Sequence, residues 1–271
     1  MSSDSPLSTP VAWNMVAGGF AKELLPIFEE YAKDALDRAQ LTADSVVVDV
    51  ATGPGTLAML AAERVREVYA VDFSKAMLEI ARERSASAEV RNVTFQHADG
   101  QALPFDDGMF DAGFSMFGLM FFPDRAAGFR ELHRVLRSGG RVVVSSWTPA
   151  SESPLLSALF AAMQEALPEL PFGKGGGGPL SDPDDFAAEM EAAGFRDVKV
   201  ERVLHRRDVP SLRDFWETHK RGSAPVALIR AGMSDDEWTD FSERVLERLE
   251  QRLGSEPIDF GWAAYLASGT R

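Results

Sequence analysis

The chain contains 271 residues, of which 45% are hydrophobic and 26% are charged. These are ordinary values for a globular protein with a packed core, so wholesale disorder is excluded. The 42 acidic residues outnumber the 28 lysines and arginines, and the formal net charge of −14 makes nucleic acid and anionic membranes unfavourable partners. The sequence contains no cysteine, which excludes disulfides, thiolate nucleophiles and thiolate metal sites.

Other sequence features argue against a metal, a signal peptide and a membrane span. The four histidines lie far apart without the spacing of a metal motif, so we predict no metal site. The first ten residues, MSSDSPLSTP, lack the basic start and apolar core of a signal peptide. The most apolar window, 112–123, is much shorter than the roughly 20 residues that span a bilayer. We therefore expect a soluble, cytoplasmic protein without a membrane span.

The hydrophobic periodicity changes from helical to strand-like near residue 45. Residues 13–39 carry apolar side chains at helical spacing and predict one or two amphipathic helices. Strands and helices are then predicted in alternation, with strands at 46–48, 68–71, 93–96, 110–114 and 141–145 and helices at 57–64, 74–84 and 125–136, the last ended by residues 138–140. This alternation predicts a parallel sheet covered by helices on both faces.

Beyond residue 148 the alternation is looser. The pattern predicts helices at 155–167 and 182–193, a glycine-rich loop at 173–178, a strand at 198–203, a helical block at 211–253 and a returning strand at 260–266. We therefore predict an α/β fold with a Rossmann-like, mostly parallel seven-stranded sheet, helices on both faces and a helical cap inserted before the last strand. The predicted units are an N-terminal helical segment (1–40), a core (41–210 and 256–271) and the cap (211–255).

The turn after the first predicted strand reads DVATGPG. A parallel sheet binds ligands at the carboxyl ends of its strands, and the first strand-to-helix turn is the usual place. Gly53 and Gly55 allow a tight bend and a close approach of the backbone, and the next helix presents free N–H groups. Asp72 ends the second strand, where its carboxylate can accept hydrogen bonds from both hydroxyls of a ribose. The loop and the acid together predict a ligand that contains a nucleoside.

The identity of this nucleoside depends on Asp49. Ala58 supplies the third small residue of the dinucleotide fingerprint, so the glycine spacing by itself is compatible with NAD. Asp49, however, precedes the glycines at the end of the first strand, where it would repel a pyrophosphate and attract a cationic amino group. The residues thus favour a cofactor without phosphates, and an NAD-dependent oxidoreductase stays as an alternative.

Four motifs, in this order, resemble those of the class I S-adenosylmethionine-dependent methyltransferases, particularly the quinone-biosynthesis enzymes and their small-molecule relatives. The motifs are VVVDVATGPGTLA, VYAVDFSKAMLEIAR, QHADGQALPFDDGMFD and RELHRVLRSGGRVVVSSW. The resemblance extends from about residue 13 to residue 147. It implies S-adenosylmethionine as the cofactor and a small-molecule methyl acceptor, with O-methylation expected first and C- or N-methylation as the other outcomes.

The resemblance also assigns residues to the cofactor. It implies that Asp72 binds the ribose, that Met77 packs on the adenine and that Asp99 accepts from the adenine amino group. Ser115 and Met116 are expected beside the sulfonium. The complete expected set of cofactor-binding residues is Phe20, Asp49, Ala51, Gly53, Gly55, Asp72, Phe73, Met77, Asp99, Gly100, Gln101, Ser115 and Met116.

The chain departs from its relatives at two places. Ala51 stands where many members have a glycine, whereas Met120 and Phe121 stand where relatives often carry a histidine that can handle protons. A general base at those two positions is therefore excluded. His219, in the predicted cap, is the catalytic candidate that we retain. Phe20 matches an aromatic that closes over the methionine end of the cofactor in relatives.

The aromatic and methionine side chains expected around the acceptor predict that it is apolar or aromatic. The expected substrate pocket consists of Trp13, Phe117, Met120, Trp147 and Trp216. Methyl transfer from a sulfonium is an in-line displacement, so positioning and exclusion of water can supply most of the acceleration and a base is optional. A cofactor-binding domain without catalytic activity is the second alternative. No sequence feature defines an oligomeric state.

Overall fold

The computed structural model of the chain describes residues 5–170, 178–254 and 258–271. Its strands are β1 (Val46–Val50), β2 (Glu67–Asp72), β3 (Val93–His97), β4 (Phe110–Met116), β5 (Leu136–Trp147), β6 (Arg196–Val209) and β7 (Ile258–Thr270). They form one seven-stranded sheet in the order β3-β2-β1-β4-β5-β7-β6. Strands β1 to β5 pair in parallel, whereas β7 lies antiparallel between β5 and β6.

Helices surround this sheet and fill the cap. They are α1 (Pro10–Glu23), α2 (Leu25–Arg38), α3 (Thr56–Ala62), α4 (Lys75–Ser87), α5 (Arg125–Val135), α6 (Pro154–Ala166), α7 (Pro183–Ala192), α8 (Leu212–Gly222), α9 (Ala224–Ala231) and α10 (Asp235–Leu253). The Ser74 hydroxyl caps α4, because its Oγ accepts from the N–H of Met77 at 3.1 Å. Among the described residues, no helix is both long and apolar enough to cross a membrane.

Strand β1 shows how the two faces of the sheet are covered. Successive side chains of a strand point to opposite faces. Val47 belongs to a core that includes Leu57 of α3, whereas Val48 belongs to a second core that includes Phe129 of α5. All five residues of β1 are therefore buried, as expected for a strand in the middle of a parallel sheet.

The cap is joined to helices outside its own segment. Helix α10 packs along α6, and α8 crosses α1. This crossing requires a glycine, because a Cβ at Gly19 would overlap the backbone carbonyl of Arg221. The close approach of α1 and α8 forms a roof over the carboxyl ends of the central strands.

The architecture confirms the predicted α/β fold, the seven strands and the position of the cap before the last strand. The end of α5 differs from the prediction, because the helix stops at Val135 and Leu136 already begins β5. Two backbone hydrogen bonds join this segment to the last residue, from Gly139 to the Arg271 carbonyl and from Arg271 to the Gly140 carbonyl, both at 2.9 Å. The segment is an irregular part of β5, because the register against β4 shifts here and Gly139 has φ 77°. The stretch 138–140 is thus part of the strand.

The last two strands are longer than predicted. β6 is an edge strand with mostly exposed side chains, so its outer polar residues obscure its length in the sequence. β7 pairs with β6 from residue 258 to residue 270, well beyond the predicted 260–266. The predicted glycine loop at 173–178 falls outside the described residues, except for Gly178.

Candidate functional site

A cavity of about 1220 Å³ lies at the carboxyl ends of the central strands, beneath α1 and the cap. Ordinary small-molecule sites measure about 300–1,000 Å³. The cavity therefore has room for a nucleoside cofactor and a second molecule. Its wall contains most of the residues predicted for both ligands.

Asp49 lies at the end of β1 and is almost completely buried. Its Oδ2 accepts a hydrogen bond from the Thr52 hydroxyl at 2.6 Å, whereas its Oδ1 accepts no close hydrogen bond among the described residues. The backbone N–H of Ala58 also faces this carboxyl and favours its ionised form. Burial raises the pKa of Asp49 to about 7, and the neighbouring Asp72 carboxylate contributes to this rise. A buried carboxylate oxygen without a partner is costly, so this position favours a cationic group in the cavity.

Asp72 is the last residue of β2 and is hydrogen-bonded to the glycine turn. Its Oδ2 accepts from the backbone N–H of Gly53 and its Oδ1 from that of Ser74, both at 2.8 Å. Burial raises the pKa of Asp72 to about 6 despite these hydrogen bonds. A carboxylate offers about four acceptor positions, so both oxygens can accept further hydrogen bonds from a ligand.

The glycine turn contains three residues in the left-handed region. Ala51 has φ 60°, Gly53 has φ 55° and Gly55 has φ 79°. Ala51 and Gly53 line the cavity, as predicted. Gly55 does not, because its Cα faces Ala81 and Phe95, and its N–H donates to the Thr52 carbonyl at 3.0 Å. Gly55 thus forms the turn outside the wall of the cavity, and its contact with the cofactor stays a prediction.

A second group of predicted residues surrounds the side of the cavity next to β2 and β3. Phe73, Met77, Asp99, Gly100 and Gln101 all line it. The Asp99 carboxylate is exposed, and its Oδ1 accepts from the Gln101 backbone N–H at 2.8 Å. A Cβ at Gly100 would crowd the side chains of Phe122 and Val50.

The end of β4 brings an aromatic side chain into the cavity. Met116 and Phe117 line the cavity. The N–H of Phe117 donates to the Ser145 hydroxyl at 2.9 Å, and its φ of 56° turns the chain sharply. Ser115 was expected beside the ligand, but it lies below the wall, fully buried. The reason is the alternation of side chains in a strand, which directs Ser115 and Met116 to opposite faces.

Aromatic rings enclose the part of the cavity beyond β4. The Trp147 ring stacks on Phe117 with centroids 4.0 Å apart and meets Trp262 at 5.1 Å. Trp13 meets Phe121 at 5.0 Å. Phe20 and Met120 also line the cavity, as predicted.

Trp216 was expected in the substrate pocket, but it is absent from the wall of the cavity. It lies inside the cap, where its Nε1 donates to the Ser242 hydroxyl at 2.8 Å and its ring packs against Trp238 and Phe241. Both residues belong to α10, so this face of α8 is turned towards α10. His219, three residues further along α8, does line the cavity.

The Nδ1 atom of His219 lies 2.8 Å from the carbonyl oxygen of Phe215. A carbonyl oxygen can only accept, so Nδ1 carries the proton and Nε2 has a free lone pair. Burial lowers the pKa of His219 to about 4, which keeps the ring neutral at physiological pH. Its plane lies 24° from that of Trp262, at a centroid distance of 6.2 Å.

Sequence reasoning missed one wall of the cavity, which α6 provides through Leu156, Leu159, Phe160 and Met163. A signal existed, since the sequence of α6 (PLLSALFAAMQEA) is apolar over more of its surface than packing on one core requires. Phe28 of α2 and His97 at the end of β3 also line the cavity. In the described part of the chain, no three histidine or acidic side chains are grouped to hold a metal.

The fold and the site define a nucleoside-binding α/β protein with a second, aromatic chamber. Residues 47–140 match the family described as Methyltransferase domain. The demethylmenaquinone methyltransferase of Thermus thermophilus is 38% identical over 184 residues, which are 61% of this chain and 80% of that relative. The ubiquinone/menaquinone biosynthesis C-methyltransferase of Geotalea uraniireducens is 28% identical over 177 residues, 56% of this chain and 71% of that one.

The fold is also found among solved structures. The YcgJ protein from Bacillus subtilis matches with a TM-score of 0.58 at 21% identity, and the match covers 91% of this chain and 97% of that protein. The chain belongs to the class I S-adenosylmethionine-dependent methyltransferases and is related to those of quinone biosynthesis. It is therefore an enzyme whose methyl donor is S-adenosylmethionine. This membership replaces both alternatives, the NAD-dependent oxidoreductase and the non-catalytic binding domain.

Proposed function

We propose that the enzyme methylates a hydroxylated aromatic ring of the phenol or hydroquinone class, bound in the aromatic chamber between the end of β4 and the cap. The observation that carries this proposal is the stacked pair of Phe117 and Trp147. Both rings line the part of the cavity that lies beyond the residues that fit the cofactor. Flat apolar rings pack well against such side chains. The names of the two relatives, which refer to quinone biosynthesis, support the same class of acceptor.

The residues at the ends of β1 and β2 fit S-adenosylmethionine. The unpartnered Oδ1 of Asp49 matches the cationic amino group of the methionine part. The two oxygens of Asp72, each with one backbone N–H already bound, match the two ribose hydroxyls. We assign the adenine to the space between Phe73, Met77 and Asp99, with Gly100 and Gln101 at its edge.

S-adenosylmethionine supplies a methyl group on a sulfonium, which an acceptor attacks in line with the breaking bond. The protein therefore contributes mainly position and the exclusion of water. Phe117 stands at the end of β4, held by the Ser145 hydroxyl, where it can orient the ring of the acceptor. The faces of Phe117 and Trp147 also stabilise a nearby cation.

A hydroxylated ring can be methylated at the hydroxyl oxygen or at the ring carbon ortho to the hydroxyl group. Loss of the hydroxyl proton makes both atoms more nucleophilic, so the same site serves either reaction. Because the Geotalea relative is named a C-methyltransferase, we place the new bond on a ring carbon. The methyl ether, which we expected first from the sequence, is the competing product.

Transfer of a labelled methyl group tests this proposal. The purified protein is incubated without oxygen with methyl-labelled S-adenosylmethionine and, separately, a naphthohydroquinone, a simple phenol or an aromatic amine. We expect label in the naphthohydroquinone, with NMR locating it on a ring carbon. Label in the amine alone, or in none of the acceptors, would contradict the acceptor class. Label on oxygen would retain the class and reverse the choice of atom.

A further inference from the structure

Five ionisable side chains line the cavity in the described part of the chain: Asp49, Asp72, His97, Asp99 and His219. The first four stand at or just beyond the carboxyl ends of β1, β2 and β3. His219 is the exception, because it enters from α8 in the cap and its ring lies beside Trp262, which in turn meets Trp147. It is thus the ionisable group on the side where the acceptor is proposed to bind.

We propose that His219 is a catalytic residue whose Nε2 accepts the hydroxyl proton of the acceptor. The assignment rests on the proposed function, because it requires an acceptor that carries a hydroxyl group. Met120 and Phe121 cannot act as a base at the positions where relatives often carry histidine. His219 would supply a base from the cap instead.

The hydrogen bond to the helix sets which nitrogen is available. Nδ1 donates to the Phe215 carbonyl at 2.8 Å, so the ring is held against α8 by its protonated nitrogen. Nε2 lies on the far side of the ring from that bond, carries the lone pair and has no partner among the described residues. The burial that keeps the ring neutral thus keeps this lone pair free to accept a proton.

A chain of ring contacts connects His219 with the end of β4. Its ring lies 24° from the plane of Trp262, Trp262 meets Trp147 at 5.1 Å, and Trp147 stacks on Phe117 at 4.0 Å. A flat acceptor that packs against these rings can therefore place its hydroxyl near His219 while another edge is near Phe117. The indole of Trp262 also stabilises the positive charge that forms on His219.

The proposed step is balanced in atoms and charge. The acceptor oxygen gives its proton to Nε2, and the acceptor uses an electron pair to form a bond to the methyl carbon. The bond between the methyl carbon and sulfur breaks, and its electron pair stays on sulfur, which becomes neutral. When the oxygen attacks, His219 releases the proton it received to water. When a ring carbon attacks, that carbon loses its hydrogen to water as a proton, and the oxygen takes its own proton back from His219. Either path releases one proton in total.

The base strength of His219 favours proton transfer during the methyl transfer rather than before it. An imidazole with a low pKa is a weak base towards an ordinary phenol, because the proton would move energetically uphill. Neutralisation of the sulfonium in the same step removes this disadvantage. An acceptor that is already ionised needs no base, and this difference makes the proposal testable.

The test compares two acceptors in the wild type and in His219→Asn. The asparagine amide can retain a donor for the Phe215 carbonyl, while Nε2 is lost. One acceptor is a phenol or hydroquinone with an ordinary pKa, and the other carries nitro groups and is ionised at the assay pH. We expect kcat to fall at least about 100-fold with the first acceptor and less than about 10-fold with the second. Binding of S-adenosylhomocysteine should stay unchanged.

Two controls separate this role from a structural one. His133→Gln changes a histidine of α5 that packs on Phe195 outside the cavity, and it should leave both rates unchanged. His219→Gln provides a second variant if the asparagine protein does not bind S-adenosylhomocysteine. An equal loss of kcat with both acceptors, or no loss with either, would overturn the role of His219 and leave the proposed function in place. A wild type that methylates no hydroxylated ring would overturn the proposed function, and this role with it.

Discussion

The side chain of Ala51 occupies the space that a Cβ at Gly118 would need, so the turn after β1 and the turn after β4 meet without room for two methyl groups. Ala51 adopts a left-handed conformation with φ 60°, which glycine adopts at lower cost. Many members of the family have glycine at this position. In this chain, Gly118 provides the space for the alanine, and both residues line the cavity.

Gly118→Ala should therefore destabilise the protein by about 1–3 kcal/mol, because two Cβ atoms would overlap. Gly118 itself has φ −98°, which alanine tolerates. The double variant Ala51→Gly/Gly118→Ala should recover most of this loss. Urea unfolding of the four proteins measures the coupling energy. As a control, Gly18→Ala places a methyl group where there is open space on α1 and should stabilise the helix by about 0.5–1 kcal/mol. Additive effects at positions 51 and 118 would argue against the contact.

Asp49 should make the cofactor-free protein less stable as the pH rises. Its pKa is about 7 in the folded chain against an ordinary value of 3.8, so the folded state binds more protons between these values. Stability contributed by protonated Asp49 is therefore lost as the pH increases from about 4 to 7. Asp49→Asn removes this loss and should be more stable than the wild type at pH 8 by at least about 1 kcal/mol.

Urea unfolding at pH 4.5 and pH 8 measures this effect, with the exposed Asp236→Asn as the control. The gain for Asp49→Asn should appear at pH 8 and be small at pH 4.5. The same variant should bind S-adenosylmethionine more weakly, because the carboxylate proposed to attract its amino group is gone. Equal stability of wild type and variant at pH 8 would indicate that Asp49 is not destabilising when ionised.

Two tryptophans should differ in their effects on the acceptor. Trp147→Leu removes the ring that stacks on Phe117 and should raise KM for the acceptor about 5- to 10-fold, with unchanged binding of S-adenosylhomocysteine. Trp216→Phe should leave KM unchanged and lower stability by about 1–2 kcal/mol, since it removes the hydrogen bond to Ser242. Steady-state kinetics and thermal unfolding separate the two effects. A raised KM in Trp216→Phe alone would place the acceptor inside the cap.

The order of strands and helices and the residues of the first turn were predictable from sequence because they depend on local patterns. Gly53 lies in the turn after β1 and Asp72 ends β2, and the carboxyl ends of parallel strands meet at one edge of the sheet. The position of Ser115 behind the wall of the cavity was not predictable, because position along a strand does not indicate which face a side chain takes. The position of Gly55 outside the wall was not predictable, because a glycine that forms a turn and one that approaches a ligand look alike in sequence.

The cap was less predictable because each of its helices packs against two or more other elements of the chain. Trp216 and His219 are three residues apart on α8, yet one packs towards α10 and the other faces the cavity. Periodicity identifies a helix but not the element that each of its faces contacts. The wall formed by α6 was missed for the same reason, since the excess of apolar residues on α6 does not indicate whether a second face meets another element or a cavity.

Calorimetric titration with S-adenosylmethionine, S-adenosylhomocysteine and NAD tests the assignment of the cofactor site most directly. The wild type should bind the first two ligands and not NAD. Asp72→Ala removes both proposed ribose acceptors and should cost about 1.5–3 kcal/mol, an increase in Kd of about 10- to 100-fold, while the control Asp236→Ala should leave Kd unchanged. An unchanged Kd in Asp72→Ala, or binding of NAD by the wild type, would contradict the placement of the cofactor.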